Sequence, residues 1–222
     1  MIEELPSGAQ VRLLGDQTPA HLVVGLGGGV SRPLPGIWNP SIEWLARRLA
    51  RCDEPVACLE VRYRVRSWRD VRGCVQDARE AVRLAESLRP QRLSIMGFSM
   101  GGGVAVAAVS EAVEGVVALA PWMPEWVPLD RLRGRRLSVV HGSLDRWAPG
   151  LPGVPPSHSR AAYERALAAG AQGEYHLVRG GVHGIAVRTA FGLVRLPRAG
   201  AWFDHVLAAL APAPQAVASE AR

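Results

Sequence analysis

The chain has 222 residues, which suits one domain of moderate size, and its 48% hydrophobic content is enough to bury a sizeable core. Its net charge is +6, and all 26 basic residues are arginines scattered along the chain. The scatter, with no single basic run interleaved with aromatics, argues against a nucleic-acid partner but suits the gathering of anionic substrates. The three cysteines, Cys52, Cys58 and Cys74, have no CxxC spacing, so neither a disulfide framework nor a zinc site is expected. The N-terminus lacks a basic region followed by an apolar one, and no apolar run reaches the length of about 20 residues needed to span a bilayer. A cytoplasmic protein is the expectation.

Strand-like and helix-like stretches alternate from the start. Gln10–Gly15 and Ala20–Leu26 predict strands, the second ending in glycines. Ser41–Arg51 has apolar residues at helical spacing, with Ser41 as the expected N-cap. Pro55–Tyr63 predicts a strand. Ser67–Leu88 predicts a long helix, in which Ser67 and Asp70 form a capping box ahead of the stripe Val71, Cys74, Val75, Ala78, Val82 and Ala85.

Arg92–Phe98 is the next strand, followed by a helix of small residues to Val109. Gly115–Pro121 and Arg136–Gly142 read as strands, Ser159–Gly170 as a helix ended by glycine, Gly173–Gly180 as the last strand and Ala199–Ala211 as the last helix. One domain over residues 1–211 and a frayed tail over 212–222 are expected. The alternation predicts an α/β fold, with a mostly parallel central sheet and helices on both faces. In such folds ligands bind beyond the carboxyl ends of the strands, so functional residues should follow strands directly.

Gly97-Phe98-Ser99-Met100-Gly101 fits G-x-S-x-G at a strand-to-helix junction. The pattern describes a sharp turn that holds a serine hydroxyl exposed above the sheet. A serine hydroxyl is a weak nucleophile, so it needs a base, and the base needs an orienting acid. Of six histidines, His183 lies in a glycine-rich loop after the last strand and is the expected base. His21 and His176 lie within strands, His205 mid-helix, His158 in a proline-rich loop, and His141 closes a strand, where it would fix the loop by a hydrogen bond. For the acid, Asp145 follows a strand closely, whereas the rival Asp130 stands further from its own strand end. The order Ser99, Asp145, His183 is that of one serine-hydrolase fold.

Together "GLGGG" (Gly25–Gly29), "RYRVRSW" (Arg62–Trp68), "GFSMGG" (Gly97–Gly102), "ALAPWMP" (Ala118–Pro124), "HGSLDRW" (His141–Trp147) and "GVHG" (Gly181–Gly184) resemble the α/β-hydrolases. More narrowly, the chain resembles the compact bacterial carboxylesterases and dienelactone hydrolases, over roughly 20–209. It departs from the latter in carrying Ser99 where they use cysteine, and from an H-G-G-G oxyanion loop in carrying Leu26 at the histidine position.

The resemblance implies a serine hydrolase that cleaves an ester, thioester or lactone of a small-to-medium acyl substrate through an acyl-enzyme. The alternatives are the same triad used for cyclisation or C–C cleavage, or a non-catalytic binding protein on this fold. No metal and no organic cofactor is implied. The oxyanion hole is expected from the N–H groups of Met100 and of one glycine among Gly27, Gly28 and Gly29, with Gly28 favoured. Too few residues separate Pro121 from the next strand for a large lid. The walls of the site must then come from proline-stiffened loops, which makes Trp38, Trp122, Trp126 and Trp147 the expected pocket residues. Arg64 and Arg66 are expected to be structural, paired to nearby acids.

Overall fold

The computed structural model describes residues 2–146 and 153–212. In chain order the elements are β1 (Ile2–Glu4), β2 (Gln10–Leu14), β3 (His21–Leu26), β4 (Leu34–Pro35), α1 (Pro40–Leu49), β5 (Val56–Arg62), β6 (Val65–Arg66), α2 (Val71–Ser87), β7 (Arg92–Phe98), α3 (Met100–Ala108), β8 (Val113–Leu119), β9 (Arg136–Gly142), α4 (Pro156–Ala168), β10 (Gln172–Val178), β11 (Ala186–Thr189), β12 (Gly192–Arg195) and α5 (Ala199–Leu210). Short 3₁₀ turns occupy Trp68–Asp70 and Leu129–Leu132.

Eight strands form one sheet in the order β1-β2-β5-β3-β7-β8-β9-β10. β3, β5, β7, β8, β9 and β10 run parallel, and β1 and β2 add an antiparallel edge. β3 is buried along its whole length, as an apolar run sealed by helices on both faces should be. On one face α2, α3 and α4 pack through residues such as Cys74, Ala78, Val104 and Ala162. On the other, α1 and α5 pack through Ile42, Leu45, Trp202 and Val206. No described helix is long and apolar enough to cross a membrane.

The expected strands and helices are present, with corrections at their ends. Asn39, not Ser41, caps α1: its side-chain oxygen accepts from the N–H groups of Ser41 and Ile42, and Pro40 takes the first helical position, where its missing N–H is harmless. The expected capping box at Ser67 and Asp70 is two separate caps. Ser67 accepts from Arg69 N at the 3₁₀ turn, and Asp70 accepts from Gly73 N at the start of α2. α4 begins at Pro156, three residues before the expected Ser159, so His158 lies in a helical turn and not in a loop. The hairpin β11–β12, the edge strand β1 and the ribbon β4–β6 are short and partly exposed, and had no apolar alternation to announce them. Residues 213–222 of the expected tail lie outside the described residues.

Candidate active site

Three loops at the carboxyl edge of the sheet bring Ser99, Asp145 and His183 together. Ser99 sits between β7 and α3 with φ 55° and ψ −121°, a conformation that L-residues adopt only under constraint. The turn is tight enough that a side chain at Gly101 would stand 2.5 Å from the Leu26 carbonyl oxygen, so that position must be glycine. The backbone is pinned by Ser99 N donating to Leu119 O, and Trp122 N donating to Ser99 O. Ser99 is 8% exposed. Met100 is the first residue of α3, so its N–H has no acceptor within the helix. Gly28 faces the nucleophile turn: a Cβ there would lie 3.2 Å from Ser99 Cβ.

His183 Nε2 lies 3.2 Å from Ser99 Oγ, and His183 Nδ1 lies 2.7 Å from Asp145 Oδ2. The ring also packs on Phe98, with centroids 5.0 Å apart. The acid and base loops are laced together. Ser143 N donates to Val178 O, Leu144 N to Gly181 O, and Gly180 N to Ser143 Oγ. Ser41 reaches across from α1, its hydroxyl accepting from Ile185 N and Ala186 N just after His183. That role was not legible in a residue that reads as a helix cap.

Asp145 is 2% exposed. Oδ1 accepts from Val154 N at 3.0 Å, and Oδ2 faces a second histidine, with His141 Nε2 3.0 Å away. That nitrogen also lies 2.8 Å from Val154 O, an acceptor, so it carries the ring proton. His141 Nδ1 lies 2.7 Å from Ser159 Oγ, which fixes the ring from the other side. Burial would raise the Asp145 carboxyl, but the hydrogen bonds from His141 and His183 outweigh it and hold the group below the usual range. The expectation that His141 fixes its loop is met, and the ring also contacts the acid. Asp130 is exposed on the 3₁₀ turn and takes no part in this cluster.

The other histidines are placed elsewhere. His21 opens β3, at the far end of the sheet, against Ser94 Oγ. His158 accepts from Met123 N, and His176 stacks on His205.

A cleft of about 380 Å³ opens over Ser99. Trp122 lines it, as expected. Trp38 does not: Arg12 covers its ring at 4.4 Å. Trp126 packs beside Trp122 at 6.2 Å but faces a neighbouring groove. Trp147 lies outside the described residues. Ile37 lines it from the expected wall loop 30–41, and the walls missed by sequence reasoning are Trp68, Phe98 and Arg66. Arg64 pairs with Asp77 at 2.9 Å, as a structural arginine should. Arg66 differs: among the described residues it has no acid partner, its buried Nε has no hydrogen-bond partner, and burial lowers its pKa. Among the described residues no helical insert stands over Ser99.

No protein-family model matches the sequence, and no curated protein does either. Solved structures are similar in shape. An esterase of Pyrococcus furiosus superposes with a TM-score of 0.67 at 17% identity, covering 95% of this chain and 89% of that one. Dienelactone hydrolase from Anabaena variabilis gives 0.66 at 16%, covering 94% of each chain. A dienelactone-hydrolase-like promiscuous phosphotriesterase from metagenomic libraries gives 0.68 at 16%, covering 93% and 94%. The chain has the α/β-hydrolase fold, and among the described residues no large lid is present.

Proposed function

We propose that the protein is a serine hydrolase acting on a carboxylic ester or thioester through an acyl-enzyme. The observation that carries this is the continuous line Ser99 Oγ, His183 Nε2, His183 Nδ1, Asp145 Oδ2, at 3.2 and 2.7 Å, on a strained turn at the carboxyl edge of the sheet. His183 takes the Ser99 proton as Oγ bonds to the substrate carbonyl carbon. It returns that proton to the leaving oxygen or sulfur as the acyl bond breaks. Water then repeats the sequence: His183 removes its proton, the hydroxyl adds to the acyl carbon, and Ser99 leaves with the proton restored. Asp145 fixes the tautomer with the proton on Nδ1 and stabilises the imidazolium. The N–H groups of Met100 and Gly28 are assigned to the carbonyl oxygen as it gains charge. These groups suffice without a metal or cofactor.

The cleft volume and its aromatic walls suit a small-to-medium acyl group. The test is hydrolysis of nitrophenyl butyrate, read as a burst followed by steady turnover. The burst is expected to vanish in Ser99→Ala. Equal turnover by Ser99→Ala would remove the proposal.

A further inference from the structure

Beside the Ser99 cleft lies a larger groove of about 930 Å³. Trp68 lines both cavities. The pair Trp122–Trp126 joins them a second time, Trp122 in the cleft and Trp126 in the groove. The floor of the groove is one face of α2. Arg72, Gln76, Arg79 and Arg83 are spaced four, three and four residues apart, so they form one straight stripe about 16 Å long. Arg69 extends it towards Trp68.

Like charges at this spacing repel one another. Among the described residues Arg69, Arg72, Arg79 and Arg83 lie in no ion pair closer than 4.0 Å. Among the described residues Arg79 donates only to the Ala107 carbonyl. The one acid in the wall, Asp70, is engaged in capping α2, and Glu80 on the adjoining face accepts from Ser7 N and Gln76 Nε2 and feels the Arg83 charge without an ion pair to it. Two large rings, Trp68 and Trp126, stand half-exposed at the groove. A row of arginines held in no ion pair matches several phosphates better than a single carboxylate, and flat exposed indoles match a base that can stack.

We propose that this groove binds the phosphorylated nucleotide of an acyl donor whose carbonyl lies against Ser99. The substrate is then an ester or thioester with a nucleoside diphosphate in its leaving group. This rests on the hydrolase reading of the Ser99 site and names its substrate class.

The test compares two thioesters that differ only in the nucleotide, butyryl-coenzyme A and butyryl-pantetheine, at low ionic strength. The wild type is expected to prefer the first at least about tenfold in kcat/KM, chiefly through KM, and to lose the preference as salt rises. In Arg72→Glu/Arg83→Glu the ratio should fall to near one, with the melting temperature showing that the fold is kept. Independently, ADP titrated into Ser99→Ala should quench tryptophan fluorescence saturably, and the charge-reversed groove should abolish this. Equal kcat/KM for the two thioesters, or a preference that survives the double variant, would overturn the proposal. So would a preference for butyryl on an acidic carrier protein without ADP binding. Loss of all turnover, nitrophenyl butyrate included, would strike the hydrolase reading alone, because the ADP titration still reports on the groove.

Discussion

Asp145 and Glu60 are both sealed from solvent and titrate in opposite directions. Asp145, beside the Ser99 cleft, is held below its usual range. Glu60, on β5 under the Arg12–Trp38 stack, is pushed up to about 7 from an ordinary 4.5, because burial outweighs the charge and hydrogen bonds of Arg12. The difference lies in how many donors reach each group. Both oxygens of Asp145 are engaged, Oδ1 by Val154 N and Oδ2 by His183 with His141 alongside. Glu60 Oε2 accepts from Arg12 Nε and Nη2, while among the described residues Oε1 has no hydrogen-bond partner. Arg12 is also shared with Glu43, which it holds low against the opposing effect of burial, aided by Arg188 and Arg47. At Asp145 the bonds to both oxygens outweigh burial, so the carboxylate stays charged beside His183.

The largest effect should come from breaking that condition. Asp145→Asn is expected to lower kcat on nitrophenyl butyrate by orders of magnitude, about 10⁴ by the serine-protease precedent. Glu60→Gln and Asp130→Asn should each change kcat only slightly. If Glu60→Gln were the crippling change, burial and not donor count would decide which acid serves the histidine.

The second effect is on stability. Glu60 has a folded pKa above its unfolded one. Its contribution is present in full below pH 4.5 and is lost as pH rises through about 7. His21 is the reverse: burial, with the charge of Arg92, lowers it from 6.5 to about 4, so its contribution is full above pH 6.5 and is lost as pH falls through 4. Each is worth about 3 kcal/mol across its window, and between pH 4.5 and 6.5 the two slopes oppose each other. Urea unfolding of the native protein should therefore depend weakly on pH there. Glu60→Gln should uncover a stability that rises with pH, and His21→Asn one that falls. Parallel profiles for all three proteins would count against both buried titrations.

A smaller effect is expected at His141, a positioning residue that contacts the same Asp145 oxygen as His183. His141→Gln should lower kcat about three- to tenfold, the worth of one net hydrogen bond of ~0.5–1.5 kcal/mol, with KM unchanged. A raised KM with normal kcat would assign the ring to the cleft wall instead. Smallest is the difference between two tryptophans. Trp122→Ala should lower kcat/KM for aromatic acyl esters, and Trp38→Ala should not, because its ring is covered by Arg12. Equal losses would return Trp38 to the cleft.

The three-residue line was legible because each member obeys a local rule. Ser99 sits in a glycine-flanked turn, Asp145 follows a strand by three residues, and His183 lies in a glycine-rich loop after the last parallel strand. The sheet was legible because buried parallel strands read as apolar runs. What sequence could not show depends on partners far along the chain. Trp38 looks like a pocket wall until Arg12, held by Glu60 and Glu43, is laid over it. Ser41 looks like a cap until the loop after His183 arrives at its hydroxyl. Its neighbour Asn39, followed by Pro40, carried the true cap signal. Trp68 was read as part of a helix start, and only the short 3₁₀ turn leaves its ring between the two cavities.

The central claim is that Ser99 is the nucleophile and His183 its base. The most direct measurement is intact-mass and peptide analysis after treatment with a fluorophosphonate probe. One adduct per chain is expected, on the peptide containing Ser99, with labelling slowed by orders of magnitude in His183→Ala and absent in Ser99→Ala. A label that persists in Ser99→Ala, or one found on another residue of the native protein, would contradict it.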